Sequence, residues 1–167
     1  MGKITAKLGV DVEERLQLAE EISKGYFRQG LNCAECVMRT FLDIYDTGMP
    51  DEIMALSTGF GGGMGHTRIG VCGAISGALM GLGTAEGRRD PLEGDDPAER
   101  IRKLQQEIYP KFGALVTEAK EKNGTLICGE LIADFEDFTC KERRLFCMGL
   151  IAECAKLAVR HVESVQA

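Results

Sequence analysis

The sequence predicts an all-α fold: a single-domain helical bundle with a glycine-rich loop and a close-packed, glycine-faced helix. Three observations predict it. Apolar residues recur at helical spacing over nearly the whole chain, and no segment sustains the period-two alternation of a strand. Helix start and stop signals bound these stretches. Eleven of the 21 glycines crowd between Gly59 and Gly87, first in a run that cannot hold regular structure cheaply and then at a spacing of four.

Taken in order, Val12, Leu16, Ala19, Ile22 and Tyr26 give an apolar face to a helix from about Asp11 to Gln29, which Gly30 closes. Asn32 opens a second helix, and Glu35 completes a capping-box pair with it. Its apolar face is Cys33, Val37, Phe41, Ile44 and Tyr45, and Thr47-Gly48-Met49-Pro50 stops it. A short helix follows from Asp51 towards Ser57, and GFGGGMG (Gly59 to Gly65) reads as a loop. From Val71 or Cys72 a helix forms on Ala74, Ile75, Ala78, Leu79 and Leu82. Gly73, Gly77 and Gly81 line one of its faces, so another backbone can approach closely. Gly87 to Glu93 is a polar linker. Asp96-Pro97-Ala98-Glu99 starts a helix that runs to Asn123-Gly124, kinked near Tyr109-Pro110. Thr125 caps a short helix through Ile132, and Asp134 to Phe138 is an acidic connector. Thr139 with Glu142 forms another capping box, from which the last helix runs from Cys140 to about Val165. No internal repeat or low-complexity tract divides the chain, so residues 1–167 read as one helical domain.

Composition excludes several classes of function. Lys plus Arg is 20 and Asp plus Glu is 26, a formal charge of −6, which argues against nucleic acid and anionic membrane surfaces as partners. The longest charge-free run, Ile69 to Ala85, is too short and glycine-rich to span a membrane. The N-terminus lacks the apolar core of a secretory signal, and Ala6 stands where an N-myristoylation signal carries Ser or Thr. Seven cysteines cannot all pair internally and are too sparse for a disulfide scaffold. The expected location is the reducing cytoplasm, where clustered cysteines signal metal or redox chemistry more often than cross-links.

The cysteines fall at chosen places. Cys33 and Cys36 form a C-x-x-C at a helix start, where unpaired N–H groups and the helix dipole stabilise a thiolate. Cys72, Cys128 and Cys140 also sit at predicted helix starts. Cys140, Cys147 and Cys154 recur every seven residues and share a stripe with Ile151 and Ala158. The alternative for any of them is packing, since buried cysteine behaves as a small hydrophobe, and Cys154 in mid-helix fits that best.

The sequence resembles a family of redox-active proteins named for the pattern C…G-C-A-x-x-G…C…C. The residues that carry the resemblance are GLNCAE (Gly30 to Glu35), GFGGGMG (Gly59 to Gly65) and VCGAISGALMGLG (Val71 to Gly83). CGEL (Cys128 to Leu131) and the terminal RLFC with its helix match less specifically, and the likeness runs from about residue 12 to 163. The resemblance implies a mostly helical fold and redox activity based on cysteine. It maps the family cysteines to Cys33, Cys72, Cys128 and Cys147, with Cys154 as the alternative fourth. Cys36, Cys140 and Cys154 are additions in this chain. A related domain occurs in haem proteins, but Val37 follows Cys36 here and the haem signature C-x-x-C-H is missing.

Three chemistries compete. The first is a metal centre on Cys33, Cys72, Cys128 and Cys147: an iron–sulfur cluster used in electron transfer, or zinc. Soft thiolates bind both, and four complete a tetrahedral set. Gly61, Gly62 and Gly63 would turn backbone N–H groups to the sulfurs, and His66 would serve as proton donor or ligand. The second is metal-free dithiol–disulfide exchange, with Cys33 as nucleophile and Cys36 or Cys72 as resolving partner. A thioredoxin fold does not fit, because its βαβ context is missing. The third is a non-catalytic binding or scaffold protein with packed cysteines. Nucleotide binding is weaker still, since GFGGGMGHTRIG lacks the Lys-Ser/Thr of a phosphate loop and follows no strand, although it could cradle an anion beside Arg68. His161 has no catalytic role, Asp95-Asp96 is a cap, and Asp134, Glu136 and Asp137 form a solvated connector. A redox partner of unspecified kind is expected, and assembly into a homo-oligomer is compatible with the sequence. Cys33, Cys72, Cys128 and Cys147 are expected to converge in one pocket floored by the glycine loop, with His66 at its rim; Cys33 and Cys72 on opposite sides, with no third cysteine near either, would leave packing as the best reading.

Overall fold

Helix α1 (Val12–Arg28) begins where the Asp11 carboxylate accepts from the Glu14 N–H at 2.9 Å, and it ends before Gly30, whose φ of +95° suits glycine. The computed structural model describes residues 4–7 and 9–166. The N-terminal reading against a signal or acyl anchor, which includes Gly2, lies partly outside them. Helix α2 (Cys33–Ile44) starts with the full capping box: Asn32 accepts from the N–H groups of Ala34 and Glu35, and the Glu35 carboxylate accepts from the Asn32 N–H at 2.9 Å. A 3₁₀ run then replaces the expected short helix and extends it, from Asp51 to Phe60.

The decisive packing is α2 against α3 (Gly73–Glu86). A Cβ on Gly77 would stand 2.5 Å from the Ala34 carbonyl oxygen and 3.0 Å from Val37 Cβ. On Gly81 it would stand 2.8 Å from the Phe41 ring, and on Gly73 2.6 Å from Cys33 Sγ. The four-residue glycine spacing therefore does what it predicts: two helix backbones touch. Because Gly73, Gly77 and Gly81 meet Cys33, Ala34 and Phe41 in ascending order, the two helices run parallel. Their N-termini lie at the same end.

One helix was expected from Asp96 to Asn123. Instead, α4 (Pro97–Lys103) and α5 (Tyr109–Asn123) are joined by a π-helical turn, Leu104–Ile108. The Tyr109 N–H reaches back five residues to the Leu104 carbonyl. Pro110 has no N–H to give and its ring crowds the turn before it, so the irregularity falls just ahead of it. After the one-turn helix α6 (Cys128–Leu131), α7 (Lys141–Gln166) packs along α1, α2 and α3. The shared core includes Phe41, Ile44, Ile75, Leu82, Leu115, Ile151 and Val159.

Three local expectations are corrected. A small antiparallel ribbon pairs β1 (Thr5–Ala6) with β2 (Tyr45–Asp46), each too short to show alternation, and the Lys7 ammonium fixes it by donating to the Leu42 carbonyl at 2.8 Å. Thr125 does not cap a helix; its hydroxyl accepts from the Ile127 N–H at 3.2 Å and donates to Glu130. Thr139 and Glu142 do not form a capping box. Thr139 turns its N–H and hydroxyl back onto Asp137, and Cys140 takes the cap position, its sulfur accepting from the Arg143 N–H at 3.4 Å. Among the described residues, no helix is long and apolar enough to cross a membrane.

The α2–α3 contact leaves no room for a side chain. Gly77→Leu is expected to lower stability by about 1–3 kcal/mol through overpacking, read as a drop in thermal midpoint. An unchanged midpoint would contradict the backbone contact.

Candidate thiol centre

Four elements each bring one cysteine to the same end of the bundle. Cys33 is the first residue of α2, Cys72 precedes α3 as its N-cap, Cys128 opens α6, and Cys147 lies two turns into α7. Cys72 and Cys128 are aligned by main chain. Val71 and Ile127 form an antiparallel bridge, the Cys72 N–H donates to the Leu126 carbonyl at 2.8 Å, and the Cys128 N–H donates to the Gly70 carbonyl at 3.0 Å. The α2–α3 contact supplies the other register, with Cys33 Sγ in the space where Gly73 has no side chain. All four cysteines line one small cavity of about 50 Å³, walled otherwise by Phe27, Phe138, Leu131, Ile151 and the Arg143 side chain. On the same measure a water needs roughly 10–15 Å³, so there is room for a small inorganic group and none for an organic cofactor.

The glycine loop closes over this cavity in an uncommon conformation. Five consecutive residues, Gly62, Gly63, Met64, Gly65 and His66, have φ between +57° and +71°, and Arg68 follows at +68°. Three of the six bear side chains, each at about 1–2 kcal/mol of local strain. The turn is tied by its own main chain: Gly65 N–H to the Gly59 carbonyl at 2.7 Å, His66 N–H to Gly61 at 2.9 Å, and Arg68 N–H to Gly62 at 2.9 Å. It is also tied to the thiols. The Gly62 N–H donates to Cys33 Sγ at 3.4 Å, and a Cβ on Gly63 would stand 2.6 Å from Cys128 Cβ. Gly61 packs on the Asn32 cap, where a Cβ would stand 2.6 Å from Asn32 Cγ. Of the three loop glycines expected to face the sulfurs with N–H groups, Gly62 does so; Gly61 and Gly63 contribute by having no side chain.

The electrostatics are set by burial and by two cations, Arg143 and Arg68. Burial, with a further push from charge on Cys33, raises the Cys72 thiol to about 12 and the Cys128 thiol to about 11. Burial raises Cys147 as well, but here the Arg143 guanidinium pulls the other way and donates from Nη1 to Cys147 Sγ at 3.7 Å. Arg143 is itself held flat on the Phe138 ring, 3.9 Å from its centroid. Arg68 stacks on the same ring at 4.9 Å, and His66 meets its edge at 4.8 Å.

Cys33 differs from the other three in access. It lines both the inner cavity and an open cleft of about 540 Å³, whose walls include Asn32, Thr58, His66, Arg143 and Arg144. His66 thus stands at the rim, exposed, as expected. Cys36 does not face the cavity: it is fully buried in the core, pushed up to about 12 by burial, and its thiol donates to the Leu31 carbonyl at 3.5 Å. Cys154 is likewise a core residue, so Cys147 is the cysteine of α7 that reaches the cavity. All seven cysteines are unpaired thiols, and among the described residues no three His, Cys, Asp or Glu side chains are gathered tightly enough to ligate a single metal ion. A larger hollow, about 880 Å³, contains no cysteine and touches the glycine loop only through Phe60 and Met64.

Two site residues escaped the sequence reading. Arg143 lies four residues before Cys147 on one helix face, a spacing that points to it once Cys147 is singled out. Phe138 gave no signal within a connector read as acidic and solvated.

A family model described as putative redox-active protein (C_GCAxxG_C_C) matches residues 31–161. No curated protein and no solved structure matches the chain.

The raised thiols carry a stability consequence. In the reduced protein with nothing bound to sulfur, Cys72 and Cys128 keep their protons after the unfolded chain begins to lose them near pH ~8.5. The unfolded state then binds fewer protons, so stability falls as pH rises from about 8.5 towards about 11. Urea midpoints across that range should fall less steeply in Cys72→Ala than in the parent; identical slopes would remove burial as the controlling effect.

Proposed function

The chain belongs to the C_GCAxxG_C_C family of redox-active proteins, and from that premise we propose that Cys33, Cys72, Cys128 and Cys147 hold an iron–sulfur cluster used in electron transfer. The observation that carries the reading is the convergence of four thiols, from four separate elements, on one closed cavity. Iron–sulfur clusters are held by four thiolates, and hydrogen bonds to the sulfurs tune their potential. Zinc fits less well, because the thiols are spread around the walls rather than drawn onto one point.

Such a cluster supplies a site that takes up and releases single electrons. The protein does the rest. Cys72 and Cys128, neutral while the cavity is empty of cations, give up their protons on binding, which makes loading proton-releasing and favoured by higher pH. The Gly62 N–H and the parallel N-termini of α2 and α3 stabilise negative charge on sulfur, and Arg143 offsets it from the α7 side. Phe27, Phe138, Leu131 and Ile151 keep water out.

The test is iron and sulfide analysis, with a visible spectrum, on protein purified anaerobically and on protein reconstituted with iron and sulfide. Iron with matching sulfide is expected, lost in Cys72→Ser and Cys128→Ser and retained in Cys36→Ser and Cys154→Ser. Colourless, iron-free protein under both conditions overturns the reading.

One observation favours a second reading, metal-free dithiol exchange: Cys33 alone reaches both cleft and cavity. Its thiolate would attack a disulfide sulfur and release one substrate thiolate. A second protein thiol would then displace the other, leaving two reduced substrate thiols and one protein disulfide. Cys72, which shares the cavity, suits the second role better than Cys36, which faces the core. An iron-free protein that reduces a disulfide and gains a Cys33–Cys72 link by peptide mapping would establish it.

A further inference from the structure

The chain has a formal charge of −6, yet the cleft over Cys33 is walled by Arg143 and Arg144. An adjoining hollow, which shares Phe27, Thr139 and Arg144 with it, adds Arg28 and Lys141. Among the described residues none of these four cations stands within ion-pair distance of a carboxylate. Several basic side chains elsewhere are engaged: Arg15 with Glu163, Arg39 with Asp43, Lys111 with Glu86, Lys156 with Glu20 and Arg160 with Glu118. Two carboxylates near the cleft are engaged by hydrogen bonds, and Asp137 also feels the Arg143 charge. Glu35 accepts from the Asn32 N–H and the Thr58 hydroxyl, and Asp137 accepts from the N–H and hydroxyl of Thr139. Arg143 Nε is buried and without a hydrogen-bond partner. An acidic protein that leaves four neighbouring cations without an ion pair, at this cleft and the hollow beside it, presents a positive field there.

We propose that this cleft binds a small anionic molecule through carboxylate or other oxyanion groups, with Arg144 and Arg143 as its anchors and its far end against Cys33. The volume, about 540 Å³, is that of a small-ligand site rather than a flat docking face. Guanidinium groups grip oxyanions in a fixed fork, and apolar Phe27 and Phe138 border the rest of the cleft. The inference rests on the redox reading in one respect: it names the chemical class of molecule that exchanges electrons at the thiol centre through Cys33. Arg143 bounds both the cleft and the inner cavity, so an anion bound on one side of its guanidinium and sulfur on the other would feel the same charge.

Calorimetric titration of the protein with inorganic phosphate tests this, at an ionic strength held constant with sodium chloride. Phosphate is a doubly charged oxyanion that undergoes no redox reaction there, so it reads binding alone. Saturable one-site binding is expected, weakened about tenfold or more in Arg144→Gln. Arg144→Lys should recover part of it, and Arg88→Gln, on the remote apolar hollow, should leave it unchanged. Arg144 is exposed, so its replacement spares the core; Arg143→Gln is the second variant. Absence of saturable binding, or binding indifferent to Arg144→Gln, overturns the proposal. So does binding of poly-glutamate at low salt without phosphate binding, which would make the face a protein-docking surface. Iron content measured on the same samples separates the two claims. Phosphate binding without iron sinks the cluster reading alone, and iron without phosphate binding sinks the anion site alone.

Discussion

The parallel contact between α2 and α3 is the constraint on which the rest of the molecule depends. Antiparallel helices joined by a short turn would have placed Cys33 and Cys72 at opposite ends of the bundle. Parallel helices need a long return, and residues 45–72 provide it: the β2 ribbon, the 3₁₀ run and the glycine loop. Three missing side chains, at Gly73, Gly77 and Gly81, let the backbones meet, and the first of them makes space for the Cys33 sulfur. The same arrangement sets two positive helix ends side by side, an unfavourable pairing that negative charge on sulfur relieves. Packing and chemistry therefore come from one feature.

The thiol cavity holds opposing tendencies. Its apolar walls disfavour thiolate at Cys72, Cys128 and Cys147, while the Arg143 guanidinium favours it at Cys147 and the Gly62 N–H donates to the Cys33 sulfur. Arg143 can remain next to buried sulfur because Phe138 supports it face-on. The connector that carries Phe138 is thus part of the centre, although it belongs to no helix.

Much of this was legible in local sequence. Asn32 and Asp96 are helix caps by residue type and position, and each caps as expected. The glycine face of α3 follows from spacing alone. What escaped is non-local or depends on backbone sign. The Val71–Ile127 bridge that aligns Cys72 with Cys128 joins segments with no alternation to announce it. Composition marks Gly59 to Gly65 as irregular, but Met64, His66 and Arg68 are not residues from which a left-handed backbone is read. The local rules also favoured Thr139 over Cys140 as the cap of α7, because sulfur is a weak acceptor; the preceding Asp137 draws Thr139 away. The convergence of the cysteines came from the pattern of the family, with helix starts as its physical support.

The left-handed turn has a consequence for the order of events in folding. Its intrinsic preference is to be open, since Met64, His66 and Arg68 each hold a conformation that an isolated peptide avoids. The hydrogen bonds within the turn work against that strain. The closed turn also leans on Cys33, Cys128 and the Phe138 ring, so local opening of the loop is expected to cost less than parting the helices. The chain has in effect a latch whose spring pushes outward, and its contacts with the thiols help to keep it shut.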